Sequence, residues 1–192
     1  MAAETLPGSP PRSGGVVYFA FGARTRSRSE LLSRIQVGIV VERRKAGSPW
    51  ADFVWRPISA LPGVPDAVPW TVIEGDAERT CFYGGIAQIE LHRSDVPGYR
   101  ENLIAGDALL WVVLRPSGRE PPYEVAAVTA EPREGEAFAE AATDIVDTVP
   151  MPEPVRAAIA AFVAAHEVEH TLAKRECGNL AARLGATAKD RK

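Results

Sequence analysis

The sequence predicts an α+β domain: a mostly antiparallel β-sheet, folded as a partly closed barrel or sandwich, with a C-terminal amphipathic α-helix. Three observations predict it. Apolar and polar residues alternate with period two in Val37–Glu42 and Ile86–Arg93, as half-buried strands require. Glycine and proline breakers recur at short intervals without long helices between them, which favours antiparallel pairing over parallel crossover units. A final stretch, residues 154–177, instead carries apolar residues at helical spacing.

Residues 1–34 read as a disordered N-terminal tail. Pro7, Gly8, Pro10, Pro11, Gly14 and Gly15 interrupt regular structure, and Arg24-Thr25-Arg26-Ser27-Arg28 is a solvated charge run. Too few apolar residues are present to offset the entropy of ordering them. Val16–Phe21 is the exception, and an extra docked strand is its alternative reading. A single β-rich domain spans residues 35–177. Its first strand starts near Ile35, with Val37, Ile39 and Val41 facing inward and Gln36, Gly38 and Glu42 on a wet face. Gly47-Ser48-Pro49 turns the chain into a strand at Phe53–Ala60, which Leu61-Pro62-Gly63 stops. Val68–Glu74 is a third strand, entered through Pro69-Trp70 as an edge strand would be.

Thr80–Tyr83 and Ile86–Arg93 flank Gly84-Gly85, which is a hairpin turn or a bulge. In the second segment Ile89 and Leu91 face one way, and Gln88, Glu90 and His92 the other. Leu109–Leu114 is apolar throughout and reads as a central strand covered on both faces. Tyr123–Thr129 is a strand, Glu134–Ala142 has helical composition, and Asp144–Val149 is short and β-branched. The final helix, Pro154–Cys177, starts with proline, carries Lys174 and Arg175 at its negative end and stops at Gly178. Val155, Ile159, Phe162, His166 and Ala173 form its stripe. A short helical piece, Leu180–Leu184, and a charged tail complete residues 178–192.

The 192 residues carry 46% hydrophobic and 24% charged side chains, ordinary for a globular chain with its own core. A net charge of −3 provides no whole-molecule attraction for nucleic acid or anionic membrane. Cys81 and Cys177 lie far apart without metal-type spacing, which fits a reducing compartment. No apolar run approaches the roughly 20 residues of a bilayer span, and no signal-peptide pattern is evident. The expected location is cytoplasmic, with no nucleic-acid partner and no membrane insertion.

One string spells out a chemistry: His166-Glu167-Val168-Glu169-His170 is HExxH. On a helix, imidazoles four residues apart share a face and can hold zinc, while the intervening glutamate activates a bound water. The zinc reading needs a third ligand. Glu176 stands where an extended motif has one, but Ala173 replaces the glycine that would turn the chain, so Glu176 points away from the pair. His166 and His170 are therefore metal ligands only in an alternative reading. No nucleotide-binding glycine loop or GxSxG elbow is present. Glu90 and His92 share a strand face and could form an acid–base pair, or simply belong to a solvated sheet. Trp55-Arg56 beside Arg43-Arg44 is a candidate binding patch.

Several strings combine into a resemblance. Gly38–Arg44, Trp50, Trp55-Arg56-Pro57, Leu61-Pro62-Gly63, Glu90-Leu91-His92-Arg93, Gly98–Leu103, Trp111–Arg115, Val149-Pro150-Met151-Pro152, Phe162-Val163 and Lys174-Arg175 occur in this order. Over residues 36–176 the chain resembles a bacterial domain-of-unknown-function family encoded in formate dehydrogenase gene clusters. The family carries a His-His-Val-Glu type string in place of HExxH, so the resemblance implies that Glu167 and His170 are local variations. It also implies an association with molybdenum- or tungsten-dependent formate dehydrogenase, and brings no catalytic residues with it. Arg93, Tyr99 and Asn102 fall within these strings. They join Arg43, Arg44, Trp55, Arg56, Gln88, Glu90 and His92 as candidate binding residues.

The leading expectation is a non-enzymatic accessory protein for maturation or assembly of that dehydrogenase. Its partners would be dehydrogenase subunits or another accessory protein, and no cofactor is expected. The alternatives are a small zinc-dependent hydrolase and a small-ligand or cofactor carrier using the face of Gln88, Glu90 and His92.

Overall fold

The computed structural model describes residues 31–48, 50–140 and 143–166. The chain runs through β1 (Leu31–Lys45), β2 (Phe53–Pro62), β3 (Thr71–Gly75) and β4 (Arg79–His92). A 3-10 turn at Arg93–Asp95 leads into α1 (Val96–Ile104). Then follow β5 (Leu109–Pro116), β6 (Tyr123–Thr129), α2 (Pro132–Ala139), β7 (Ile145–Pro150) and a helix, α3, described over 153–166. One sheet has the order β2-β1-β4-β3 and the other β6-β5-β7, both antiparallel and open. The sheets approach along β4 and β6 and along β2 and β7. They share one core of Val37, Ile39, Val41, Ile89, Leu91, Leu110, Val112, Leu114 and Val149.

The mostly antiparallel α+β reading holds, and the boundaries differ in instructive ways. β1 starts at Leu31 rather than Ile35, because it pairs with β4 as far as His92. The two segments around Gly84-Gly85 are one continuous strand. Its register against β1 shifts between Ile39 and Val40, opposite Gly85 and Tyr83, so the glycines form a bulge. Gly85 takes a φ of 118°, open only to glycine at low cost. The wet face expected on β1 is covered: Gly38, Val40 and Glu42 are buried. Pro65 and the Tyr83 ring lie so close over Gly38 that a Cβ there would displace them.

α1 was not expected from the sequence. Pro97 occupies its first turn, and Asn102 ties it down. The Asn102 amide donates to the carbonyls of Leu109 and Ala130, both at 2.8 Å, and accepts from Leu109 N at 3.0 Å. β5 is central in its sheet, as its continuous apolar run requires. Leu110, Val112 and Leu114 enter the core, and Trp111 on the other face lies against Gly135 of α2. α3 buries Val155, Ile159, Phe162 and Val163 on the core, a helical stripe. Phe162 meets Tyr99 edge-on at 6.2 Å. Among the described residues no helix is long and apolar enough to cross a membrane. The tail at residues 1–30, and the helix expected beyond His166, lie outside the described residues.

Candidate functional site

Four strands meet at the β1–β2 hairpin end of the first sheet, and their register assembles two chemically different faces. Glu42 lies opposite Arg56 of β2 and Cys81 of β4; Arg44 lies opposite Val54 and Arg79; Glu74 of β3 lies opposite Cys81. Side chains directly across, or two along, share a face. One face therefore gathers Glu42, Arg44, Arg56, Arg79, Cys81 and Glu74. The other carries Arg43, Trp55, Thr80 and Phe82.

Glu42 is 1% exposed and holds three guanidiniums. Its Oε1 accepts from Arg56 Nε at 3.0 Å and lies 3.4 Å from Arg44 Nε, while Oε2 pairs with Arg79 Nε. Burial alone would raise its pKa. The hydrogen bonds from Arg56 and Arg79 and the charges of Arg56 and Arg44 outweigh that, so the carboxyl sits below its ordinary range. Arg79 is shifted upward in turn, chiefly by its hydrogen bond to Glu42.

On the opposite face the Arg43 guanidinium lies 4.5 Å from the centre of the Phe53 ring, 5.5 Å from Phe82 and 5.9 Å from Trp55. It also donates to Thr80 Oγ1 at 3.2 Å. Trp55 stacks on Phe82 at 5.6 Å and meets Trp70 edge-on and Tyr123 at a tilt, both at 6.1 Å. Trp70 holds this position with a φ of 69°, unusual for a bulky residue. Around this end Trp50, Phe53, Val54, Val72 and Ile73 are exposed, Trp50 at 93%.

The remaining candidates do not converge here. Gln88 and Glu90 are exposed on β4, and Glu90 pairs with Arg34 at 3.1 Å. His92 is buried, its Nε2 3.9 Å from Glu90 Oε2 and its Nδ1 without a hydrogen-bond partner among the described residues. The solvated Gln88-Glu90-His92 face of the sequence reading thus ends in a buried imidazole. Tyr99 is 1% exposed; its hydroxyl accepts from His92 N at 3.2 Å and contacts the Glu90 carbonyl at 3.3 Å. Tyr99 and Asn102 therefore serve the packing of α1. Arg93 is exposed in the 3-10 turn. His166 Nδ1 lies 2.8 Å from the Phe162 carbonyl, and its ring packs on Phe162 at 4.3 Å. Glu167 and His170 lie outside the described residues.

A family profile matches residues 36–176, from within β1 to beyond the described part of α3. The chain belongs to the family described as Protein of unknown function (DUF3305). No curated protein and no solved structure matches it. The DUF3305 match takes in every residue of the two-faced sheet end.

In this DUF3305 chain the Arg43-Arg44 and Trp55-Arg56 pairs do come together, but divided between the two faces. Glu42, Arg79, Phe82, Trp70 and Tyr123 were missed as site residues. Glu42 and Arg79 are 37 positions apart in the chain, and only the β1–β4 register joins them. The sole signal in the sequence was a glutamate next to two arginines at the end of an apolar strand.

Proposed function

We propose that this chain is a non-enzymatic binding protein that docks a protein partner through the hairpin end of its first sheet. The observation that carries this reading is the exposure of Trp50, Phe53, Val54, Val72 and Ile73 around an arginine-rich sheet end. Tryptophan and arginine dominate the energetics of protein interfaces, because they bury large areas while keeping polar or cationic contacts. Arg43 is already stacked on aromatic rings and held by Thr80, so a partner would meet a pre-set side chain.

We further propose that the partner belongs to the maturation or assembly of molybdenum- or tungsten-dependent formate dehydrogenase, as the sequence resemblance implies. The test is co-purification of the full chain with dehydrogenase subunits, beside a Trp50→Ser/Val72→Ser variant. Retention by the wild type and loss by the variant is expected. A deletion strain that makes fully active dehydrogenase would overturn the choice of partner. Equal retention of the variant would overturn the site.

A further inference from the structure

We infer that the outer face of the sheet end is an oxyanion site for a phosphate-type dianion, built by Arg44, Arg56 and Arg79. All three arginines meet Glu42 through Nε. Among the described residues their terminal Nη groups make no hydrogen bond, and the side chains are 57%, 49% and 46% exposed. The terminal nitrogens are the part of a guanidinium that grips an oxyanion with paired donors. One arginine comes from each of three adjacent strands. With strands about 4.8 Å apart, the three stems stand within about 10 Å of one another across the sheet.

Their arrangement sets like charges side by side. Arg44 and Arg79 are directly opposed across β1 and β4, where like charges repel. Glu42 offsets one of the three charges, and Glu74, beyond Cys81 on the same face, offsets a second. Arg79 is met by both Glu74 and Asp76, so the positive surplus lies with Arg44 and Arg56, two guanidiniums that share the one carboxylate of Glu42. Glu42 is buried beneath the forks, so it orients them without occupying the outer side where a ligand would sit. This pre-orientation lowers the rotamer entropy lost on binding. A depression of about 340 Å³ beside Arg79 is walled by Glu74 and Asp76 and is unfavourable to an anion. The ligand therefore seats toward Arg44 and Arg56, with Arg79 at its rim.

Val72 pairs with Phe82 on the opposite face from these arginines, and Trp50 lies in the β1–β2 connection outside the strands, so their substitution leaves the arginines in place and the two readings fail separately. The experiment is calorimetric titration of the full chain with sodium phosphate, set against sodium chloride at matched ionic strength. Saturable phosphate binding is expected. Arg44→Gln should weaken it about tenfold, the range for a lost charged hydrogen bond. Glu42→Gln keeps one acceptor oxygen, enough for Arg44 and Arg56, which share Oε1, while removing the opposing charge, and should tighten binding at those two arginines. The Trp50→Ser/Val72→Ser variant should bind phosphate as the wild type does. Heat no greater than that of chloride would overturn the site, as would unchanged affinity in both Arg44→Gln and Arg56→Gln. Binding of a glutamate-rich peptide but not of phosphate would overturn the ligand assignment and return this face to protein docking.

Discussion

Glu42 titrates against two opposing influences, and the direction of the net result makes an acid-stability prediction. Its folded pKa is lowered from an ordinary value of 4.5. The ionised group therefore contributes stability above that value, and the contribution is lost as pH falls below 4.5 toward the folded pKa. Glu42→Gln should lower stability at pH 7 by about 1–3 kcal/mol, the cost of weakening a buried charged network whose arginine ends are screened by water. It should also flatten the acid limb of a urea-midpoint profile relative to the wild type. Parallel profiles would show that Glu42 does not carry that limb. Trp70 offers a second test at this scale. Its positive φ costs roughly 1–2 kcal/mol that only glycine avoids. Both Trp70→Ala and Trp70→Gly lose the ring contacts with Trp55 and Phe82, but only glycine relieves the backbone. Trp70→Gly should therefore be the more stable of the two by about 0.5–1 kcal/mol in equilibrium denaturation. The reverse order would mean that the turn reshapes once the ring is gone.

Among the elements, α1 depends on polar ties more than on an apolar stripe. Asn102→Ala would leave Leu109 N and the carbonyls of Leu109 and Ala130 without these partners. A loss of about 2–4 kcal/mol is expected. Faster hydrogen exchange should be confined to α1 and the start of β5. A uniform increase over the whole chain would mean that α1 does not open separately. The same physics explains why α1 escaped the sequence reading. It spans only Val96–Ile104, opens with Pro97-Gly98 and is weakly amphipathic, so neither period nor propensity marks it. Gly98 is required because Glu131 approaches its α-carbon, a contact invisible in a one-dimensional pattern. α3 was legible for the opposite reason: Val155, Ile159 and Phe162 repeat at helical spacing and all three are buried. Strands β2, β5, β6 and β7 were legible too, each being a β-branched or apolar run bounded by breakers.

At the scale of the whole molecule, strand existence could be read from local pattern, but strand neighbours could not. The pairings β1–β4 and β5–β7 join residues far apart in the chain, and the candidate site is made by the first of them. That is why Arg43, Arg44, Trp55 and Arg56 were found as a patch while Glu42 and Arg79, which organise one side of it, were not. The long-range pairing also joins the sheets energetically, since one core contains side chains from both together with Val155, Ile159 and Phe162 of α3. A defect in either sheet should then be felt throughout. Leu110 of β5 is fully buried, and Leu110→Ala should cost about 2–5 kcal/mol. Trp55 reports on the first sheet through its stacking with Phe82, and Trp111 reports on the second through its contact with Gly135. Fluorescence of variants in which the other tryptophans are replaced by phenylalanine separates the two reporters. In urea, Leu110→Ala should move both midpoints downward by the same amount, as one cooperative unit requires. If the Trp111 transition moved while that of Trp55 stayed in place, the two sheets would unfold independently, and the shared core would not couple them.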